Sequence, residues 1–325
     1  MTIDDAEFAA LAQALRESAG VAAKADIGLV AERLGLAGAA VRVGDDCAAI
    51  ADGEGHLLFA IEGFINAFVA ADPWFAGWCG VMVNLSDIAA MGGRPLAVVD
   101  AIWADGERQA GAILDGMRAA AAAYNVPIVG GHANLRNAQS QLAVAVLGRA
   151  GRQLLTSFDA EPGDILVLAA DHRGDYREPF DNFQAALAAP PERLRGDLAL
   201  LPEIAERGLA RAAKDVSQGG VVGTAIMLAE SSGVGLDITL EAIVPPPSVA
   251  RARWLKTFPS YGFLIAVAPQ ALAPLLALFH ARDLHAAAIG AIRAGSEVAV
   301  VSGGRRALLR DHAAQRLLGL GERAA

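Results

Sequence analysis

Apolar and polar positions alternate along the first half of the chain in the order expected of a mixed α/β domain. Helical periodicity predicts helices over residues 5–16, 28–36, 74–91 and 106–124. Apolar runs bounded by turn residues predict strands over residues 40–50, 56–64, 96–103, 127–131 and 141–151. After the two leading helices, this gives the order β-β-α-β-α-β-β.

A second pattern begins at residues 161–164, the turn-forming sequence Glu-Pro-Gly-Asp. It predicts strands over residues 164–171, 262–269, 286–292 and 297–304, and helices over residues 179–189, 197–208, 219–232 and 269–282. We therefore expect two α/β domains, 1–155 and 156–325, with their boundary near residue 155.

Composition narrows the classes of protein that fit this pattern. With 325 residues, 54% of them hydrophobic, the chain can bury a large core. It has no run of about 18 apolar residues that would cross a membrane, and its acidic start differs from a secretory signal, which favours a cytoplasmic protein. A net charge of −9 without a basic run argues against nucleic acid as a partner. Two cysteines, Cys47 and Cys79, make neither a disulfide framework nor a zinc site.

Candidate chemistry is concentrated in oxygen-bearing side chains near the ends of elements. The set comprises Asp45, Asp46, Glu62, Asn84, Asp87 and Asp215. Any one of them could be a helix cap or a solvated side chain. Asn84 and Asp87, however, are three positions apart on an apolar helix and so share one face. Hard oxygen ligands spread over several loops are typical of Mg²⁺ that is held together with substrate phosphates.

Two glycine pairs form the second candidate feature. Gly130-Gly131 ends a strand before His132, and Gly219-Gly220 opens a helix. Glycine lets a backbone approach phosphate closely and helix N-termini offer free N–H groups to anions, although a single pair is also common in tight turns. The sequence contains neither a P-loop nor a dinucleotide-binding G-x-G-x-x-G motif after a strand.

Five ordered motifs resemble one enzyme superfamily. They are GDDCAAI, VNLSDIAAMGGRPLAVV, PIVGGHANLR with LAVAVLGRAG, PGDILVLA, and DVSQGGVVGTAIMLAESSGVGLDI, spanning about residues 40–305. Together they resemble the superfamily of aminoimidazole ribonucleotide (AIR) synthetase, thiamine-monophosphate kinase, selenophosphate synthetase and the hydrogenase-maturation carbamoyl dehydratase, with its AIR synthase-related branch.

This resemblance implies a fold and an activity. The fold would be a two-domain AIR synthase-like α/β structure whose N-terminal strands pair into a barrel across a homodimer. The activity would be ATP- and Mg²⁺-dependent phosphorylation or activation of a small-molecule substrate, by a kinase- or ligase-type enzyme. Positioning and charge neutralisation dominate phosphoryl transfer, so the adjacent carboxylates of GDD would tolerate each other by holding magnesium.

The resemblance also assigns residues by motif. The metal ligands would be Asp45, Asp46, Glu62, Asp87 and Asp215. The nucleotide contacts would be Asn84, Gly130, Gly131, Ser217, Gly219 and Gly220. The catalytic set would be Lys24, Asp87, His132 and Asp215, with Lys24 reaching the phosphates from the N-terminal segment.

Departures from the family motifs bear on the reaction. His132 replaces the Asp of thiamine-monophosphate kinase and resembles the GGH of selenophosphate synthetase, but no cysteine precedes Cys47, as the reactive residue of the latter would. DVSQGG lacks the second Asp of the kinase's DISDG motif. The final residues, Arg323-Ala324-Ala325, lack the C-terminal cysteine of the carbamoyl dehydratase, which argues against that chemistry.

A charged segment of the second domain, DHRGDYREPFDNF at residues 171–183, matches none of the four enzymes. Arginine and tyrosine side chains beside a strand end suit recognition of an anionic small molecule, although the segment could also be a solvated loop. The substrate candidates are Arg173, Tyr176, Arg177 and, more weakly, Ser260 and Tyr261.

Two other interpretations of the whole chain stay open at this point. The chain could be a catalytically degenerate relative that binds a nucleotide or another anionic ligand. It could also be an α/β protein without nucleotide, whose carboxylates are caps and surface groups. ATP hydrolysis tests the first alternative, and a stability change on adding Mg-ATP tests the second.

Overall fold

A computed structural model of the protein describes residues 4–36 and 39–320, so the three C-terminal residues discussed above lie outside the described part. The chain forms two compact units. Unit 1 comprises Met1–Asp45, Leu155–Ala188 and Arg207–Ala325, and unit 2 comprises Asp46–Leu154 and Ala189–Glu206. Each unit groups residues that lie close together in space, whereas the predicted boundary near residue 155 divides the sequence into two consecutive parts.

The helices and strands follow the apolar periodicity over most of the chain. The α-helices of the described residues are α1 Asp5–Arg16, α2 Ala19–Ala22, α3 Asp26–Arg33, α4 Asn66–Ala71, α5 Pro73–Ala90, α6 Gly106–Tyr124, α7 Pro191–Leu198, α8 Leu200–Glu206, α9 Gly220–Ser232, α10 Arg251–Trp254 and α11 Leu272–His280. The strands are β1 Ala48–Asp52, β2 Gly55–Gly63, β3 Arg94–Asp105, β4 Ile128–Asn134, β5 Arg136–Ala150, β6 Ile165–Ala170, β7 Asp175–Tyr176, β8 Asn182–Gln184, β9 Ala212–Asp215, β10 Gly235–Thr239, β11 Phe258–Pro259, β12 Gly262–Val267, β13 His285–Arg293, β14 Glu297–Ser302 and β15 Arg305–Asp311. None of the described helices has the length and hydropathy needed to cross a membrane.

Unit 2 is built on a five-stranded sheet in the order β1-β2-β5-β3-β4, in which β3 and β4 are parallel and the other neighbours antiparallel. Helix α5 covers one face, where a Cβ added to Gly80 would lie 2.8 Å from Val144 of β5. The other face, which we call the outer face, carries the exposed apolar side chains Ile50, Phe59, Ile61, Val99 and Leu147. Because β1 and β4 remain edges among the described strands, the sheet is open and does not close into a barrel.

Unit 1 is built on a seven-stranded sheet in the order β15-β14-β10-β13-β6-β12-β9, against which the almost fully buried helix α9 packs. A three-stranded sheet, β11-β8-β7, lies in the same unit. Helix α1 packs on β15, with an ion pair of 2.9 Å between Asp5 and Arg305. Glu230 of α9 is buried and accepts hydrogen bonds from the N–H groups of Leu317, Leu318 and Gly319. Helix α1 and residues 317–319 therefore belong to the packing of this unit.

Two predictions of secondary structure are wrong. The strand predicted over 40–50 begins only at Ala48, because residues 44–47 bend. The helix predicted over 179–189 does not form, since Asn182–Gln184 is strand β8. Phe183 of that strand is 2% exposed, and its ring makes T-shaped contacts with Trp254 and Tyr176. Strand pairing and aromatic packing thus override the local helical pattern.

Candidate functional site

Helix α5 carries the candidates of unit 2. Asp72 caps it by accepting a hydrogen bond from the Phe75 N–H at 3.2 Å, and Pro73 occupies its first turn. The helix then packs closely on α6, where a Cβ added to Gly77 would lie 2.0 Å from the Ile113 carbonyl oxygen. This backbone contact and the sheet beneath fix the position of every side chain on α5.

Asn84 and Asp87 lie on α5 where the sequence predicts, and both are buried. The Asn84 Nδ2 donates to the Gly80 carbonyl oxygen at 2.8 Å, whereas its Oδ1 accepts no hydrogen bond from any described residue. Asn84 is 0% and Asp87 6% exposed. A buried acceptor without a donor costs about 1–3 kcal/mol. The helix therefore presents an open amide oxygen and a buried carboxylate on one face.

Asp46 brings a second carboxylate to Asp87. Carboxylate oxygens of these two residues lie within 4.8 Å of each other, and Asp46 is half-buried just before β1. Two negative charges at this separation repel unless a cation or a shared proton lies between them. The pair is therefore a candidate cation site.

Asp45, although adjacent in the chain, is held differently. Its Oδ2 accepts a hydrogen bond from the Ser157 N–H at 2.8 Å, and its Oδ1 accepts one from the Ser157 hydroxyl at 2.5 Å. Ser157 is fully buried, and both residues belong to unit 1. Asp45 thus anchors the bend that precedes β1.

The donor set of unit 2 fits magnesium. Asp46 and Asp87 supply carboxylate oxygens, and the unused Oδ1 of Asn84 supplies an amide oxygen on the same side of α5. Mg²⁺ prefers hard oxygen ligands and is commonly held by one or two carboxylates with substrate phosphates completing its coordination.

The glycine pair and His132 lie at the other edge of the same sheet. Residues 130–132 are exposed on β4, whereas Asp46 comes just before β1. These two edge strands are four strand spacings apart, or about 19 Å. The His132 ring lies 6.0 Å from the ring of Trp103. Asp100 of β3 pairs with Val144, which faces α5, so the next residue, Ala101, points to the outer face. His132 pairs with Ala101 and therefore lies on the outer face as well. Within one chain, the structure does not bring His132 together with Asp46.

Glu62 and a further carboxylate, Asp100, flank Val144 in the sheet. Val144 pairs with Glu62 on β2 and with Asp100 on β3. Glu62 is exposed, whereas Asp100 is half-buried, which raises the pKa of its carboxyl group. A Cβ at Gly131 would come within 2.6 Å of the Asp100 carboxylate. Sequence reasoning missed Asp100, although a single carboxylate inside the apolar strand 96–103 was an available signal.

In unit 1, Asp215 ends β9 and the second glycine pair opens α9. The N-cap of α9 is Gly219, and no described side chain caps this helix. Asp215, which is 6% exposed, is therefore not the helix cap that its position could also suggest. Gly220 has a φ of +63°, which favours glycine, and its N–H donates to the Ser217 carbonyl oxygen at 2.8 Å. The uncapped start of α9 leaves N–H groups available to an anion.

Lys24 also belongs to unit 1. It lies half-buried in the 3₁₀ turn Ala23–Ala25, which continues from α2. The segment that carries it is well packed, because Val21 is 1% exposed and lies against α9.

Arg173, the first substrate candidate, is engaged within the protein. Its Nε donates to Asp171 Oδ1 at 2.7 Å, and its Nη2 donates to Asp171 Oδ2 at 3.2 Å. A third nitrogen, Nη1, donates to the carbonyl oxygen of Arg282 at 3.0 Å. Asp171 is 3% exposed. The ion pair between Arg173 and Asp171 therefore stabilises the turn after β6.

Tyr176 and its neighbours form a packed side-chain network. The Tyr176 hydroxyl lies 2.5 Å from the Thr257 hydroxyl, and the Arg253 guanidinium stacks 3.5 Å from the centre of the tyrosine ring. Burial raises the pKa of Tyr176. Arg253 in turn donates to Glu178 at 3.0 Å and to Asp181 at 2.9 Å.

The other substrate candidates are placed by backbone contacts in the same region. The Arg177 N–H donates to the Asn182 carbonyl oxygen at 3.0 Å, joining β7 to β8. The Tyr261 carbonyl oxygen accepts the Asp171 N–H at 3.1 Å, and the Ser260 hydroxyl accepts the Ala185 N–H at 2.9 Å. The structure therefore gathers these residues in unit 1, with Arg177 in the β7–β8 hairpin and with Ser260 and Tyr261 between β11 and β12, and not in a solvated loop.

Two histidines that were not among the predicted site residues extend this network. His172 stacks on His285 with ring centres 4.4 Å apart, and the ring of Trp254 meets His172 edge-on at 5.2 Å. Burial, then the neighbouring His285, lowers the pKa of His172 to about 4, although Asp171 opposes this shift. Burial and His280 also lower the pKa of His285. Both rings are therefore neutral at physiological pH.

Comparison with protein families covers both halves of the chain. The model of the AIR synthase related protein N-terminal domain matches residues 44–150. The model of the AIR synthase related protein C-terminal domain matches residues 161–303.

Individual relatives match either the sequence or the fold. Protein sll0787 of Synechocystis sp., itself uncharacterised, is 47% identical over 303 residues, which are 91% of this chain and 94% of that protein. The thiamine-monophosphate kinase of Methanospirillum hungatei is 32% identical over 185 residues, which are 54% of this chain and 59% of the kinase. The structure of T. maritima PurL complexed with ATP matches 87% of this chain with a TM-score of 0.71 and 18% identity, and the match spans about half of PurL, 48%. The likeness to PurL concerns the fold alone.

Proposed function

Because the chain belongs to the AIR synthase related protein family and has its two-domain mixed α/β fold, we propose that it is an ATP- and Mg²⁺-dependent enzyme. It phosphorylates a small metabolite or activates it through a phosphorylated intermediate. Relatives named PurL and thiamine-monophosphate kinase occur in the family, and the T. maritima PurL structure carries ATP.

One observation carries the proposal: the paired carboxylates of Asp46 and Asp87. Asp87 is buried on an apolar helix and yet lies within 4.8 Å of a second carboxylate. An α/β protein that used its acidic residues only as caps would place them at helix N-termini, whereas Asp87 lies in the last turn of the helix Pro73–Ala90. A cation bound between the two carboxylates would relieve their mutual repulsion.

The residues divide the work of phosphoryl transfer. Asp46 and Asp87 would hold Mg²⁺, which supplies charge neutralisation at the phosphates. The Asn84 Oδ1 would accept a hydrogen bond from the nucleotide or from a water bound to the metal. Asp215 and Glu62 remain proposed ligands on the strength of their motifs. The glycine pairs would let the backbone approach phosphate. Asp45 would act by positioning Asp46, because Ser157 already occupies both of its oxygens.

We also propose that two copies of the chain form the working enzyme. The two edges of the sheet in unit 2, with Asp46 at one and residues 130–132 at the other, lie too far apart to contact the phosphates of one nucleotide. If both serve one site, the glycine pair and His132 come from a second copy. The exposed apolar outer face of the sheet supports such a dimer, in which facing sheets would form the family's barrel.

Thermal unfolding with nucleotides tests the proposal. The unfolding temperature would be measured with ATP, ADP and a non-hydrolysable ATP analogue, each with and without Mg²⁺. A ligand at about 100 times its Kd adds about 2.7 kcal/mol to the free energy of unfolding. We expect a Mg²⁺-dependent increase for the wild type that Asp87→Asn abolishes.

Asp115→Asn is the matched control, because Asp115 is an exposed carboxylate on α6 in the same unit. It should retain the full increase. If no nucleotide changes the unfolding temperature of the wild-type protein, the proposal is wrong. Nucleotide binding without ATP turnover, in the presence of candidate substrates, would favour the degenerate relative.

A further inference from the structure

Lysine is rare in this chain, and all of its lysines lie near one segment of unit 1. Of the 27 Lys and Arg residues, only three are lysines: Lys24, Lys214 and Lys256. Lys214 directly precedes Asp215 at the end of β9. The other two approach the segment 215–220, which we call the glycine loop, although they are far from it in sequence.

Lys24 is brought to the glycine loop by Gly20. A Cβ added to Gly20 would lie 2.0 Å from the Gln218 carbonyl oxygen and 3.3 Å from the Gly219 Cα, so the two backbones are in contact. Lys24 follows one helical turn later and therefore lies on the same side of its segment as Gly20. It is half-buried and has no ion-pair partner among the described residues.

Lys256 is brought to the same loop by Gly220. A Cβ added to Gly220 would lie 2.6 Å from the Lys256 Cα and 2.4 Å from the Leu255 carbonyl oxygen. The side chain of Lys256 is exposed, and it forms no ion pair within residues 4–36 and 39–320. The flexible, positively charged side chain of Lys256 is therefore attached close to the uncapped N-terminus of α9.

The choice of lysine at this place has a chemical reason. The ammonium group is a compact point charge on a flexible stem and can follow a phosphate oxygen, whereas the guanidinium group of arginine is a planar fork that favours fixed bidentate pairs. In this chain the arginines supply such pairs, as Arg173 does with Asp171. A protein with a net charge of −9 also needs local positive charge wherever it holds an anion.

We propose that Lys256, together with Lys24, binds phosphate oxygens at the glycine loop. This inference rests on the proposed function and adds Lys256 to its phosphate-binding residues. Lys214 is excluded, because it is 6% exposed and already has an interaction partner.

Calorimetric titration tests the inference with two probes. Mg-ATP reports on a nucleotide phosphate, and inorganic pyrophosphate without Mg²⁺ reports on a phosphate that a substrate would bring. We expect Lys256→Ala and Lys24→Ala each to raise the Kd about tenfold, which corresponds to about 1.4 kcal/mol. Lys256→Arg keeps the charge but not the ammonium geometry and should therefore recover only part of the affinity. Lys256→Ala should also weaken the dependence of Kd on salt, because one phosphate contact is lost.

The matched control is Arg33→Ala, an exposed cation at the end of α3 in the same unit. It should leave the Kd unchanged, and all variants should unfold within about 1 °C of the wild type, since these side chains are not in the core. Loss of Mg-ATP affinity assigns Lys256 to the nucleotide, and loss of pyrophosphate affinity alone assigns it to a phosphorylated substrate. If Lys256→Ala binds both probes as the wild type does, the inference is wrong while the proposed function stands. If the wild type binds neither, both are wrong.

Discussion

Two adjacent aspartates illustrate how differently neighbouring residues are used. Asp45 accepts two hydrogen bonds from Ser157, whereas Asp46 faces the carboxylate of Asp87. We predict that Asp45→Ala lowers the free energy of unfolding by about 2 kcal/mol, because hydrogen bonds to a charged group are lost and a buried serine is left without its acceptor. Urea unfolding without ligand measures this loss.

Asp46→Ala is the comparison variant. Because this substitution also relieves the repulsion between two carboxylates, it should lower the stability without ligand less than Asp45→Ala does. The same substitution should abolish the Mg²⁺-dependent stabilisation by ATP. Equal losses of unfolding free energy in the two variants would show that both aspartates are structural, and would remove Asp46 from the proposed metal site.

We predict that His172 makes the stability of the protein depend on pH. Its pKa is lowered from 6.5 to about 4 in the folded state, so between these values the unfolded chain binds more protons than the folded protein does. The ring therefore does not affect the free energy of unfolding above about pH 6.5, and it lowers this free energy as the pH falls through 6.5 towards 4. His172→Phe keeps an aromatic ring against His285 and Trp254, and should flatten this part of the pH profile.

The measurement is the unfolding temperature of both proteins from pH 8 to pH 4. The values at pH 8, where the His172 ring is neutral, control for any change in packing caused by the substitution. The charged and titratable neighbours of His172 that remain in the variant are Asp171, Arg173, His280 and His285. Parallel profiles across the whole range would mean that another group is responsible for the acid sensitivity.

At the scale of elements, the contact between α5 and α6 sets the position of the candidate metal ligands. A Cβ added to Gly116 of α6 would lie 1.8 Å from the Trp74 carbonyl oxygen of α5, so the two helices can approach only because both carry glycine at the contact. We predict that Gly116→Ala destabilises the protein by about 1–3 kcal/mol, as expected for overpacking of a close contact. Displacement of α5 should also weaken Mg-ATP binding through Asp87.

Gly111→Ala, five residues earlier on α6, provides the control. A Cβ there meets no atom within 4 Å, so the substitution should be neutral or should stabilise the helix by up to about 1 kcal/mol. Urea unfolding of both variants gives the difference. A Gly116→Ala protein as stable as Gly111→Ala would mean that the helices can separate without cost, and that their close packing does not fix the site.

The elements that sequence reasoning found are those with a local cause. Helix α6 was predicted with its observed ends because its apolar positions recur at helical spacing between Gly106 and Tyr124. Strand β8 was missed because Phe183 is fixed by partners distant in sequence, such as Trp254. The motifs likewise located Asp46 and Asp87, but they could not show that Ser157 engages Asp45, since 112 positions separate those residues.

At the scale of the whole molecule, we expect the outer face of the sheet in unit 2 to bind a second copy of the chain. Ile61 and Phe59 on this face are 64% and 49% exposed, and neighbouring strands add Ile50, Val99 and Leu147. A contiguous apolar surface on a sheet with two open edges is typical of an interaction site. We predict that the wild type is a dimer in sedimentation and that Ile61→Glu converts it to a folded monomer, because a buried carboxylate without a partner cannot be accommodated in the interface.

Leu114→Glu is the matched control, since Leu114 is 47% exposed on α6 and not on the sheet. It should remain dimeric. The monomer has a second consequence, because one copy keeps Asp46 and residues 130–132 on opposite edges of its sheet. If two copies build each site, Ile61→Glu should lose Mg-ATP affinity together with the dimer, although Asp46, Asp87 and Asn84 are untouched. A monomer that binds Mg-ATP as tightly as the wild type would show that the glycine pair on β4 serves no part of the nucleotide site.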